Sequence, residues 1–272
     1  MEYYGVIGYP IKHSVSPDMH NAAFRHLGID AIYLKFEVKP DKLKDAIFGA
    51  RALGFKGFNV TIPYKEEVLK YVKPVGIASK IGAINTIHLQ KLEGYNTDAY
   101  GALKALENAG IDVEGKIVLV VGAGGAGRAI SFILAEKGAT VIVTNRTESR
   151  GLKLAEDVRK VGECLFYPYD KLEDLKGKID IIVNATPLGM KGFEQKLPVP
   201  ECLVEKVIVF DTVYNPLETP LIKLAKKRGC KVVYGIDMLV YQGAEAFKIW
   251  TGMDAPIDVM KNAAIEALKK FN

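Results

Sequence analysis

Residues 118–130 read VLVVGAGGAGRAI. An apolar run of valine and leucine that meets a glycine and passes at once into a helical pattern is a buried parallel strand turning into a helix. Gly122, Gly124 and Gly127 stand in the G-x-G-x-x-G spacing. In that context the first glycine permits the tight turn, the second lets a pyrophosphate approach the backbone, and the third allows the helix to pack closely on the strand. Unpaired N–H groups at the helix start then face the anion. A glycine-rich turn with no ligand is the less favoured reading. The chain is therefore expected to carry a dinucleotide.

The next strand decides which one. An NAD site usually offers an acidic residue at that strand's end, roughly 20 residues after the glycines, to the ribose 2'-hydroxyl. Here ATVIVTNRTESR (139–150) offers Asn145, Arg146, Thr147 and Arg150. A guanidinium can hydrogen-bond two oxygens of a 2'-phosphate, and cations are not the preferred choice at a helix N-terminus for its own sake. NADP is favoured. Glu148, close by and acidic, keeps NAD open as the alternative.

Around this motif, short strand patterns bounded by glycine or proline alternate with amphipathic helices, the mark of an α/β protein. YYGVIGYP and AIYLKFEV read as strands, with a helix from Pro17 to Leu27 between them. In DKLKDAIFGARALG the apolar Leu43, Ile47, Ala50 and Leu53 have helical spacing and close on Gly54. KGFNVT reads as a third strand whose Phe58, Val60 and Ile62 alternate inward up to a stop at Pro63. INTIHLQ and KLEGYNTD read as a hairpin or two edge strands. A helix over 99–109 leads to the glycine-loop strand, followed by strands at 139–144, 179–183, 206–210 and 231–234 and two terminal helical patterns from Met238 to Phe271. The expected division is 1–98, 99–236 as a doubly wound unit, and 237–272 returning to cover the first domain.

Composition narrows the rest. With 49% hydrophobic and 25% charged residues in 272, the chain is an ordinary globular one with room for two cores. Its net charge of +5 is dispersed among glutamates, which suits anionic small ligands and argues against nucleic acid. No apolar run suits a membrane span, no export signal is visible, and Cys164, Cys202 and Cys230 form no C-x-x-C pair. A reducing cytoplasm is the expected location.

Four polar clusters fall at expected strand ends: HSVSP (13–17), NVTIPYK (59–65), GAINT (82–86) and YNTD (95–98). Parallel sheets collect ligands there. Each cluster also has a plain reading: Ser14 and Ser16 as turn and cap residues, Asn59 and Thr61 satisfying backbone, Asn85 in a turn, Asp98 capping a helix, Lys65 as surface charge. His13 tempts as an acid or base and equally reads as a loop residue. His20, His26 and His88 form no metal-ligand cluster, and no metal is expected.

In order, GYPIKHSVSPDMHN, GFNVTIPYK, GAINT, GYNTD, GAGGAGRAI, NRT, NATPLGM, DTVYNP and GIDMLVYQG resemble the motifs of the shikimate dehydrogenase family over essentially the whole chain. NVTIPYK with NTD is the specific pair; the glycine loop is widely shared. The resemblance implies a substrate domain with a mixed or parallel sheet, a Rossmann NADP domain, and a cleft between them where NADPH reversibly reduces 3-dehydroshikimate to shikimate in aromatic amino-acid biosynthesis. It implies that Lys65 and Asp98 are the catalytic pair, that Ser14 and Ser16 with Tyr214 hold the substrate carboxylate, and that Asn59, Thr61, Asn85 and Gln242 bind ring hydroxyls or support those that do. On the cofactor side it implies Gly122, Ala123, Gly124, Gly125, Ala126 and Gly127, Asn145 to Arg150, Ala185 and Thr186 of NATPLGM, Thr212, Gly235 and Met238. His13 would be a neighbour of the site. The family suggests a dimer or a monomer, a homodimer being the partner expected. A quinate/shikimate dehydrogenase accepting NAD, and a non-catalytic regulator binding NADP and a metabolite, are the alternatives.

Overall fold

Strand β1 (Glu2–Gly8) lies inside the first sheet, between two parallel neighbours, because its inner residues are apolar on both faces, as an interior parallel strand requires. The computed structural model describes residues 1–11 and 14–270. These divide into a unit of Met1–Gly101 with the chain from Val240 onward, and a second unit of Ala102–Leu239. His13 lies outside the described residues.

In the first unit the chain runs α1 (Ser16–His26), β2 (Ala31–Glu37), α2 (Leu43–Ala52), β3 (Gly57–Val60), β4 (Lys73–Pro74), α3 (Ile77–Ile81), β5 (Thr86–His88) and β6 (Glu93–Tyr95), and enters α4 (Thr97–Asn108). The sheet order is β2-β1-β3-β5-β6-β4. β2, β1 and β3 are parallel, whereas β5 and β6 form an antiparallel hairpin, with β5 also antiparallel to β3. The sheet is thus mixed.

β3 does not alternate as its sequence suggests. All four of its residues are buried, and the strand ends at Val60. One face gives Phe58 and Val60 to a core with Ile7, Leu43, Ile47, Tyr64 and Val68. The other gives Gly57 to the indole of Trp250, which a Cβ at residue 57 would displace. Ile62, expected to point inward, is 72% exposed because the chain has already left the sheet. Leu53 is likewise outside: α2 buries Leu43, Ile47 and Ala50 and then stops, leaving Leu53 as its solvent-facing cap.

The second unit contains β7 (Ile117–Val121), α5 (Gly125–Glu136), β8 (Thr140–Thr144), α6 (Glu148–Val158), β9 (Cys164–Phe166), β10 (Ile181–Asn184), β11 (Ile208–Asp211), α7 (Pro220–Lys227) and β12 (Lys231–Tyr234). Its six strands are all parallel in the order β12-β11-β10-β7-β8-β9. That is the doubly wound order, with its switch point beside β7. β9 escapes sequence reading: its three residues are too few for a pattern, and cross-strand register to β8 is what holds it.

The last two helices are α8 (Gly235–Thr251) and α9 (Ile257–Lys269). From Val240 the chain belongs to the first unit, where α9 packs along α1 and Trp250 of α8 donates its indole N–H to the Ile87 carbonyl at 3.0 Å. The points of division, Gly101/Ala102 and Leu239/Val240, fall inside α4 and α8.

Candidate active site

Lys65 reaches its place by a short detour. After β3 the main chain stays pinned: the Thr61 N–H donates to the Ile7 carbonyl at 3.0 Å, and the Tyr64 N–H to the Thr61 carbonyl at 3.0 Å. Tyr64 is fully buried and its hydroxyl donates to the Val38 carbonyl, so the next residue is held at the edge of the core. There the Lys65 carbonyl accepts the Ile84 N–H at 2.7 Å, and its Nζ lies 2.5 Å from Asp98 Oδ2. Both side chains are largely buried, 18% and 9% exposed. A surface lysine would do neither.

Asp98 is free to meet it because another residue takes the helix-capping task. Asn96 Oδ1 accepts the Ala99 N–H at 3.1 Å, leaving Asp98 in the first turn of α4, where the helix dipole favours an anion. Its second oxygen, Oδ1, accepts from Asn85 Nδ2 at 2.9 Å. Asn85 in turn is oriented by the Thr97 N–H, which donates to its Oδ1 at 2.7 Å. Since a backbone N–H can only donate, this contact fixes which end of the Asn85 amide faces Asp98. Gln242 completes the cluster, its Oε1 accepting from Asn85 Nδ2 at 3.4 Å and from the Thr97 hydroxyl at 3.5 Å.

The structure therefore brings Lys65, Asp98, Asn85 and Gln242 together. Ser14 and Ser16 lie at the start of α1, Ser14 Oγ accepting the Ser16 N–H at 3.3 Å. Thr61 is half-buried, and its hydroxyl has no hydrogen bond among the described residues. Asn59 is different. Its carboxamide is 7% exposed and wholly engaged within the unit: Oδ1 accepts from the Tyr33 hydroxyl at 2.7 Å, and Nδ2 donates to Thr86 Oγ1 at 3.0 Å and to the Asn85 carbonyl at 3.3 Å. Tyr33, Thr86 and Thr97 were not singled out by sequence. Their types are common strand and turn residues, and only the cross-strand register Asn59↔Thr86 reveals the link.

In the second unit the glycine loop has the shape that its spacing demands. Gly122 has φ of +110°, where other residues strain, and a Cβ there would meet the Ala185 carbonyl at 2.9 Å. A Cβ on Gly127 would strike the Gly122 carbonyl, whereas at Gly124 it would meet nothing within 4 Å. Gly124 thus faces open space at the head of α5, together with Gly125 and Ala126, as a site for a pyrophosphate requires. Asn145 ties this loop to the next strand's end: its Oδ1 accepts the Ala123 N–H at 3.0 Å while its Nδ2 donates to the Thr147 carbonyl at 2.8 Å. Arg146, Thr147 and Arg150 are exposed around the start of α6. A dinucleotide bearing a 2'-phosphate fits this donor set.

Beside the loop, Thr186 donates its hydroxyl to Asn184 Oδ1 at 2.6 Å, and the Ala185 N–H donates to the Val121 carbonyl at 2.9 Å. Asn184 Nδ2 donates to Asp211 Oδ1 at 2.9 Å, and Asp211 Oδ2 accepts from the Thr219 hydroxyl at 2.6 Å. Burial pushes the Asp211 carboxyl up to about 6, opposed by hydrogen bonds from Thr219, Val213 and Asn184. This buried trio at the ends of β10 and β11 sets the 185–186 loop. It was also missed, although NATPLGM and DTVYNP contain two of its members. Gly235 lets the start of α8 approach β11's end, since a Cβ there would meet the Thr212 carbonyl; Met238 is buried one turn on. Tyr214 is half-buried in this unit, and burial raises its phenol pKa. Among the described residues no group of three His, Cys, Asp or Glu side chains could hold a metal ion, and no helix is long and apolar enough to cross a membrane.

Comparison with known proteins covers both units. Residues 6–87 match the shikimate dehydrogenase substrate binding domain, 104–194 match shikimate / quinate 5-dehydrogenase, and 235–265 match the shikimate 5'-dehydrogenase C-terminal domain. The shikimate dehydrogenase (NADP(+)) of Archaeoglobus fulgidus is 60% identical over 270 residues, 99% of this chain and 100% of that one. A shikimate dehydrogenase crystallised in complex with NADP+ is 45% identical with a TM-score of 0.94, covering 98% of this chain and 96% of the other. The Thermus thermophilus enzyme, crystallised with NADP(H) and shikimate, is 36% identical with a TM-score of 0.89 over 98% of this chain and 100% of its own. With the lysine–aspartate pair, the asparagine network and the glycine loop all present in a chain matched from end to end, the protein belongs to the shikimate dehydrogenase family.

Proposed function

We propose that the protein is an NADP-dependent oxidoreductase that interconverts 3-dehydroshikimate and shikimate, with Lys65 and Asp98 as its acid–base pair. The observation that carries this reading is the 2.5 Å contact between Lys65 Nζ and Asp98 Oδ2, largely buried and backed by Asn85. When bound, the nicotinamide supplies or accepts a hydride. The chain's own residues manage the accompanying charge and proton. During reduction negative charge grows on the substrate's carbonyl oxygen, and a cation within hydrogen-bond reach lowers that barrier. Lys65 holds a proton at Nζ for that oxygen, and in the oxidative direction takes one from the hydroxyl. Asp98, anchored by Asn85, keeps the ammonium aimed.

Ser14 and Ser16 bind the substrate carboxylate, with Tyr214 as a further hydroxyl. Thr61, Asn85 and Gln242 serve the ring hydroxyls, and Asn59 supports them. Gly122 to Gly127 hold the pyrophosphate, Asn145 to Arg150 the phosphorylated ribose, and Ala185, Thr186, Thr212, Gly235 and Met238 line the remaining length. In this proposal the protein works in the cytoplasm as a homodimer, the latter tested by sedimentation velocity.

Initial rates with shikimate and with quinate, each with NADP and with NAD, test the assignment. Shikimate with NADP is expected to be fastest; faster quinate oxidation with NAD would overturn it. Lys65→Ala is expected to lower kcat by about 10²–10⁴-fold with a much smaller change in KM. A variant with near wild-type turnover would remove Lys65 from the mechanism.

A further inference from the structure

Asn59 stands in the motif whose resemblance implies a substrate ligand or its support, yet its carboxamide is spent on the protein itself. Both Nδ2 hydrogens have partners, Thr86 Oγ1 and the Asn85 carbonyl, and Oδ1 takes the Tyr33 hydroxyl. We infer that Tyr33 is a positioning residue for the Lys65–Asp98 pair: its hydroxyl, donating to Asn59, braces the Asn85–Thr86 corner that holds Asp98.

The links are continuous. From Tyr33 the chain passes through Asn59 to the Asn85 carbonyl and the Thr86 hydroxyl, the latter 3.2 Å from Asn85 Oδ1. From Asn85 it passes to Asp98 Oδ1, and from Asp98 Oδ2 to Lys65. Every member between Tyr33 and Asp98 is buried, so no solvent replaces a lost partner.

Tyr33 is unusually well fixed for this task. Asn21 clamps its main chain from both sides, accepting its N–H at 2.8 Å and donating to its carbonyl at 2.9 Å. Its ring lies flat against the His20 imidazole, with centroids 4.4 Å apart and planes 7° from parallel, and meets Trp250 on a tilt at 6.1 Å. A side chain held at both its backbone and its ring delivers its hydroxyl to one place. Without that hydroxyl, Asn59 Oδ1 is a buried acceptor with no donor, and Asn59 is driven to move together with the Asn85 carbonyl and the Thr86 hydroxyl it carries.

The inference rests on the proposed role of Lys65 and Asp98. Tyr33→Phe keeps the ring stack and deletes one hydroxyl. It is expected to lower kcat for shikimate oxidation about tenfold, to leave KM for NADP within twofold, and to shift the 15N side-chain amide resonances of both Asn59 and Asn85. Thr86→Val cuts the next link; it is expected to reproduce the kinetic loss and supplies the test should Tyr33→Phe fold poorly. Folded variants with wild-type kcat, or an Asn85 resonance that stays in place, would overturn the brace. The resonance measurement needs no substrate, so it decides the brace even where wild-type protein fails to oxidise shikimate, a result that would sink the functional reading instead.

Discussion

At the scale of single residues, the proposed choice of cofactor rests on Arg146 and Arg150. Both are exposed where β8 gives way to α6, on a segment fastened to the glycine loop through Asn145. A guanidinium–phosphate contact is charge-assisted, worth about 1.5–3 kcal/mol. Arg146→Ala or Arg150→Ala is therefore expected to raise KM for NADP by at least about tenfold while leaving KM for NAD nearly unchanged, which steady-state kinetics with both cofactors will read. The arginines' exposed place at the end of β8 is legible in sequence because their neighbours in space are their neighbours in the chain. Lys65 is not legible in that way. A lysine beside Glu66 and Glu67 reads as surface, and only the family's motif pair set it opposite Asp98. Tyr33 had no local sign at all and Asp211 little beyond its place in DTVYNP, since each acquires its role from burial and mainly from partners distant in the chain. Ile62 shows the converse. Its alternation with Val60 is real, but the chain leaves the sheet first, so the pattern predicts a burial that never happens.

At the scale of elements, the turn from β7 into α5 was read correctly because strand, glycines and helix are consecutive. A Cβ at residue 127 would overlap the Gly122 carbonyl, so Gly127→Val must push α5 away from β7 or rebuild the loop. The expected result is loss of NADP binding by calorimetry while shikimate binding to the first unit persists; unaltered NADP affinity would contradict that packing role. β4 and β9 were invisible for the opposite reason. Two- and three-residue strands carry no period, and their existence is a matter of what lies alongside them: β6 for β4, β8 for β9. Even so, β9 does something for the site's framework, since Phe166 packs where Gly151 of α6 leaves room for it.

At the scale of the whole molecule, response to pH follows from a buried imidazole. His20 is fully buried in an aromatic nest with neither ring nitrogen hydrogen-bonded among the described residues, and burial pushes it down to about 3. Because its pKa is lower folded than unfolded, the unfolded chain binds more protons between the two values. Stability is therefore intact above pH 6.5 and is lost as pH falls toward 3, by roughly 3 kcal/mol between pH 7 and pH 4. Asp211 works with the opposite sign: its raised pKa means that stability is lost as pH rises from about 4 to 6. Urea titrations of wild type and His20→Leu at pH 7 and pH 4 separate the two, and the variant is expected to lose much less on acidification. Equal losses would show that His20 does not govern acid sensitivity.

Trp250 is the chain's one tryptophan, and it is seated over Gly57 with its N–H on the Ile87 carbonyl. The partners described for it, Gly57, Ile87, Tyr4, His20 and Tyr33, belong to the first unit. Indole emission is therefore a built-in optical label for the sheet of that unit: a sheltered fluorophore that reddens when Gly57, Ile87 and the aromatic rings around it come apart.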